Sequence, residues 1–187
     1  MLTVYIDFKA PASYLALAPT LVLAEETGTA IQWLPFSTRQ FAIPEKQPDE
    51  TVGDSHRRVR ALARRDTHLH YAQIQGLEMR FADIPAGSDM ALAAMSAIDG
   101  DPLPFMRAAF AAYWSDQADL NDPQIVTSLL HICSIRYIDP QRELATLHAI
   151  REGAIEGGIF ETPFYKIDDQ LFLGHEHLPW IRNIIMN

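Results

Sequence analysis

Across 187 residues there is a single cysteine, Cys133. That count excludes an internal disulfide, a CxxC redox pair and a cysteine-rich zinc site. Positive charge is also short. There are 15 Lys and Arg against 24 Asp and Glu, a formal net charge of −9, so nucleic acid is not an expected partner. No run approaches the roughly 18 apolar residues that a membrane span needs, and no membrane role is expected. Asp7 and Lys9 interrupt the first apolar run and no basic segment precedes it, so a secretory leader is not expected either. The expected compartment is a reducing cytoplasm. The seven histidines include no HExxH and have no cysteine cluster beside them. His68 and His70 are two apart on an expected helix and point to different sides, so no metal site is expected. Internal repeats and low-complexity tracts are absent.

What is present reads as one domain, or one domain carrying a large insertion, at about 100–200 residues per domain. Folding should bury about 70% of the surface of a chain this long, without help from a metal or a disulfide. Residues 2–8, LTVYIDF, are β-branched, aromatic and nearly all apolar, as in a buried central strand. Lys9-Ala10-Pro11 ends that pattern, and Pro11 suits the first turn of a helix, where its missing N–H would have no partner anyway. Apolar residues at helical spacing predict a helix over 12–26, closed by Gly28. Residues 30–36 read as a second strand, which makes a βαβ unit with a parallel pair.

After a polar, proline-bearing loop over 41–53, the pattern turns helical over about 55–76, 89–99, 102–115, 122–134 and 140–157. The starts are marked by Ser88-Asp89, Asp101-Pro102, Asp122-Pro123 and Asp139-Pro140. The end returns to β: residues 164–167 and 170–173 flank Asp168-Asp169 as a hairpin, and an amphipathic helix is expected over 175–186. Without the helical block the order is βαβ…ββα, that of thioredoxin. The expected fold class is α/β: a thioredoxin-like domain from 1–36 and 158–187, with an inserted all-helical domain from 37–157. In that layout a chemical site sits where the first strand meets the first helix, faced by the loop before the third strand.

The segment VYIDFKAPASYLA, residues 4–16, resembles the opening of the 2-hydroxychromene-2-carboxylate isomerase and kappa-class glutathione transferase family, which runs close to FYFDFxSPYSYLA. GIFETP, residues 158–163, and LFLGHEHL, residues 171–178, resemble that family's GVFGVPTF and LFWGxDRL. Weaker echoes lie at Tyr71-Ala72-Gln73 and at Tyr113-Trp114 before Asp119-Leu120-Asn121-Asp122, so the likeness is colinear over nearly the whole chain. The family belongs to the DsbA-type disulfide oxidoreductases.

The resemblance implies a glutathione-dependent isomerase or transferase acting on a small aromatic or conjugated acid, and a homodimer. It implies a cis proline at Pro163, with the Thr162 backbone pairing with glutathione as an added strand. It puts Pro11 among the glutathione-binding residues, with the sulfur over the N-terminus of the first helix near Ala10 and Ser13, and Glu176 and His177 where relatives carry an Asp-Arg pair that holds the γ-glutamyl end. The plainer reading of a first-turn acid such as Glu176 is a complement to the helix dipole. The serine that stabilises the thiolate in these relatives corresponds to Ala10, which has no hydroxyl, while Ser13 keeps the second position of the motif. Ser13 reads equally well as a residue bonding its own backbone. A helix N-terminus can itself lower a thiol pKa. The alternative is a catalytically altered homologue that binds a ligand or peptide without thiol redox chemistry.

In an acidic chain the stretch 56–65, HRRVRALARR, stands apart. Arg57, Arg60 and Arg64 share one helix face, suited to the carboxylate of a substrate or of glutathione. The plainer reading is a solvated face balancing acid elsewhere. Trp33, Tyr71, Tyr113 and Trp114 read as core, and Cys133, in an apolar helix, as a small hydrophobe.

Overall fold

The computed structural model describes every residue except Ile84. Four strands form one sheet in the order β2-β1-β3-β4. β1 (Leu2–Ile6) is central: it runs parallel to β2 (Ile31–Pro35), with Val4 opposite Trp33, and antiparallel to β3 (Phe164–Ile167), with Val4 opposite Tyr165. β4 (Gln170–Leu173) completes the hairpin with β3, and Asp168 takes a positive φ of 49° in the turn, a conformation aspartate tolerates better than most residues. Leu2, Val4 and Ile6 alternate onto one face and join the main core. Tyr5, Phe164 and Leu173 join a smaller cluster with Phe36, Ala154 and Ile159.

α1 (Pro11–Thr27) starts on its proline and stops at Gly28, which takes the left-handed φ of 66°. Pro19 lies inside this helix and has no N–H for the carbonyl of Leu15. Gln75 Nε2 donates to that carbonyl at 3.1 Å, which ties the far end of α2 (Val52–Ile74) to α1. α2 begins three residues earlier than its apolar pattern implies. Thr51 and Asp54 form a reciprocal capping box, and this cap sets the start.

The remaining helices are α3 (Asp89–Ser96), α4 (Leu103–Trp114), α5 (Pro123–Ile132), α6 (Leu144–Glu156) and α7 (Leu178–Met186). Two starts differ from the sequence reading. Asp139-Pro140 opens turns rather than α6: Asp139 Oδ1 accepts from Gln141 N at 3.1 Å, and the helix begins only at Leu144. Pro102 sits one position ahead of α4, where Asp101 Oδ1 caps Leu103 N at 2.9 Å. The expected final helix is split into a 3₁₀ turn over His175–His177, followed by α7. α3 and α6 pack against β2, α1 packs against α7, and one apolar cluster runs from β1 to Phe105 and Phe110 of α4. Helices of the 37–157 segment therefore share the core of the sheet. None of the helices is long and apolar enough to cross a membrane.

Candidate active site

The end of β1 carries two charges in the interior. Asp7 is fully buried and Lys9 nearly so, and they pair at 2.7 Å. A buried ion pair is tolerable only when its remaining lone pairs and protons are met. Asp7 Oδ1 accepts from Ser88 Oγ at 2.6 Å and from Lys9 N at 3.2 Å. Asp7 Oδ2 accepts from Thr38 N at 2.7 Å and from Thr38 Oγ1 at 2.8 Å. Lys9 Nζ reaches Ser37 Oγ at 3.2 Å. This network clamps the loop after β2 against the start of α1. Gln40 Nε2, donating to the Tyr113 hydroxyl at 3.1 Å, and Arg151 Nε, donating to the Ser37 carbonyl at 3.0 Å, hold the same loop further along.

The loop, the start of α1 and α2 enclose a cavity of about 770 Å³. Ala10, Pro11 and Ala12 form its floor, and Pro11 has no N–H, so Ala12 offers the first N–H of the helix. Thr162 and Pro163, joined by a cis peptide bond, form one side. Gly174 N donates to the Pro163 carbonyl at 3.0 Å, bringing Glu176 and His175 to the rim. Gly174 has a φ of 89°, and a Cβ there would run into the Glu176 carboxylate. The opposite wall is one stripe of α2: Arg57, Arg60, Arg64, His68 and Tyr71. Arg57 is paired with Asp54, whereas Arg60 and Arg64 meet no carboxylate among the described residues.

Most of the candidate residues read from the sequence therefore converge: Ala10, Pro11, Arg57, Arg60, Arg64, Thr162, Pro163 and Glu176 line one space. Two do not. Ser13 is buried and its hydroxyl accepts from Asp7 N at 3.3 Å, turned inward to brace the strand end. His177 stacks near Phe172, 5.9 Å between ring centres, away from the cavity lining. Of the aromatics read as core, Tyr71 is about half exposed on the cavity wall. Tyr113 and Trp114 are buried but also line an adjoining cavity of about 310 Å³. Cys133 ends α5 half-buried, outside both cavities, and burial pushes its thiol pKa up, the opposite of a redox thiol.

Sequence reasoning missed the Asp7 network and His68. The signal for the first was an Asp and a Lys two residues apart at the end of an apolar strand. The signal for the second was its place one turn beyond Arg64. Two residues that line this cavity each carry a buried side-chain atom without a hydrogen-bond partner, Thr162 Oγ1 and His68 Nδ1. Unpaired buried polar atoms are uncommon in native interiors and call for an explanation.

No family model matches the chain. It is 26% identical to the 2-hydroxychromene-2-carboxylate isomerase of Sphingobium xenophagum over 193 aligned residues, covering 98% of this chain and 96% of that one. Its fold superposes on a crystal structure of 2-hydroxychromene-2-carboxylate isomerase with a TM-score of 0.75 at 16% identity, over 99% of this chain and 94% of that one. A probable DsbA oxidoreductase from Streptomyces coelicolor gives a TM-score of 0.74 at 18% identity, over 99% and 88%. The fold is thus the DsbA-type thioredoxin fold, and the chain is a distant homologue of 2-hydroxychromene-2-carboxylate isomerase.

Proposed function

We propose that the protein is a glutathione-dependent isomerase or transferase acting on a small aromatic or conjugated acid. The observation that carries this reading is the convergence on one cavity of a helix N-terminus, a cis X-Pro segment and unpaired guanidinium groups, in a chain homologous to an isomerase. The residues suit a tripeptide thiol. The Thr162 N–H reaches only as far as the Glu161 carboxylate at 3.4 Å, long for a hydrogen bond, so a peptide backbone can compete for it. Thr162 Oγ1 is an unpaired polar atom beside it.

When bound, glutathione supplies a nucleophilic sulfur that can add reversibly to a conjugated double bond. The Thr162 backbone aligns the cysteinyl portion, and Glu176 pairs with an ammonium group. Arg60 and Arg64 hold carboxylates, and the positive end of α1 favours negative charge near Ala10. Two copies pairing in the cytoplasm complete the proposal, and a monomer by sedimentation would remove that part.

Ala10 supports a second reading, in which the site binds a ligand or peptide and has lost its chemistry. Titration calorimetry with glutathione separates the two. Heat at millimolar ligand is expected, and its absence removes the cofactor. With binding established, Ala10→Ser restores a hydroxyl donor and should increase thiolate formation, read by ultraviolet absorbance. A donor at such a site is worth roughly 10²–10³ in rate where it is catalytic. No rise would count against the placement of the sulfur over α1.

A further inference from the structure

One polar group on the α2 wall has no part in the binding roles assigned above. His68 follows Arg64 by one helical turn, and its imidazole lines the cavity with Tyr71 one turn further on. The Phe41 ring stands edge-on at 6.1 Å and shields one flank. Arg57, Arg60 and Arg64 share its helix face, Arg39 comes from the loop, Glu161 from the segment before β3, and His175 and Glu176 from the 3₁₀ turn. His175 stands edge-on to Tyr71, 6.4 Å between ring centres. Burial, and after it the charges of Arg64 and His175, hold the imidazole below the usual histidine range. A cation would need both ring nitrogens to donate, and Nδ1 is buried with no acceptor. The neutral ring must also choose a tautomer. With Nδ1 buried and without a partner of either kind, the nitrogen left to meet a ligand is Nε2, and a donor there requires the Nε2–H tautomer.

We propose that His68 acts as a neutral imidazole that donates its Nε2 hydrogen to the sulfur of a thiol bound in this cavity, the contact for which Ala10 has no hydroxyl. This rests on the glutathione reading above. The thiol proton departs to solvent, the electron pair stays on sulfur, and His68 neither gains nor loses a proton. The surrounding guanidinium groups favour the resulting anion and keep the ring uncharged.

The test compares His68→Phe and His68→Gln with the unaltered protein in two titrations. The first follows the ultraviolet absorbance of bound glutathione thiolate against pH. The second measures calorimetric affinity for S-methylglutathione, which has no thiol proton. His68→Phe should reduce the thiolate-forming equilibrium about tenfold, the size expected for a hydrogen bond to a charged group. His68→Gln keeps an N–H donor and should recover part of that loss. Affinity for S-methylglutathione should fall much less than the thiolate equilibrium in His68→Phe. An unmoved thiolate curve, equal losses in both variants, or a parallel loss for S-methylglutathione would each overturn the assignment while leaving the glutathione reading intact. Failure of the unaltered protein to bind either tripeptide would overturn both. Independently of any ligand, nitrogen NMR should show a non-titrating Nε2–H tautomer at His68 through neutral pH, and a ring protonated there on Nδ1 would also refute the idea.

Discussion

The two walls of the cavity are built by opposite means. The wall formed by α1, the loop after β2 and the cis X-Pro segment presents the start of a helix and an extended segment at Ala10, Pro11, Thr162 and Pro163, flanked by Arg39, Phe41 and Phe160, and the buried Asp7–Lys9 network lies behind it. The wall formed by α2 presents long charged side chains on an exposed helix of which only Ala61 and Ala72 are buried. The first wall is a product of the core, so it cannot change without cost to the fold. The second is almost free of the core, so its chemistry can be altered with little effect on stability. A site of this design keeps its backbone edge fixed and leaves the charge of its other wall adjustable.

The contrast can be broken first from behind the backbone wall. Asp7→Ala leaves the buried Lys9 with only the more distant Asp89 carboxylate, at 3.8 Å, and frees both the Thr38 N–H and the Ser88 hydroxyl. The loss should reach about 3 kcal/mol in chemical denaturation, the lower end of the cost of breaking a buried ion pair. A change below about 0.5 kcal/mol, the range of an ordinary surface substitution, would mean that the network does not hold this wall. The α2 wall should respond in the other sense. Arg60→Ala combined with Arg64→Ala should leave the denaturation midpoint nearly unmoved, since both side chains are exposed. The same pair should weaken binding of a carboxylate-bearing tripeptide by about ten- to a hundredfold, read by calorimetry. Equal losses of stability and binding would erase the distinction between the walls. The smallest expected effect lies at the link between them. Gln75→Ala removes the donor that meets the Leu15 carbonyl and should cost about 1 kcal/mol. Proteolysis should then show the C-terminal end of α2 opening before the sheet does.

Much of the frame is visible in local chemistry. Pro11 and Gly28 bracket α1 because a missing N–H and a positive φ suit those two positions. The alternation of Leu2, Val4 and Ile6 marks a strand with two faces, and the spacing of Arg57, Arg60 and Arg64 puts all three on one wall. The misses were of two kinds. At Asp139-Pro140 the local signal was right in type but closed a turn, since Gln141 took the capping bond before a helix could form. Ser13 fits a site motif, yet its hydroxyl faces the Asp7 backbone across the first turn of α1. His68 stands beside His70 in the sequence, whereas its neighbours in the fold are Arg64 one turn back and His175 from the far end of the chain.

Composition and periodicity alone were enough to exclude an internal disulfide and a CxxC pair, to order the strands and helices, and to place a cluster of arginines on one helical face. Those are local matters, governed by a single residue count and by repeats of two and 3.6 residues. Folding decided which of the polar groups face a ligand. Asp7, Thr38 and Ser88 are far apart in the chain and meet only because the end of β1, the loop after β2 and the start of α3 pack together. Burial is a property of all the neighbours at once. For that reason no window of sequence distinguishes the buried Ser13 hydroxyl from the unpaired His68 imidazole at the cavity.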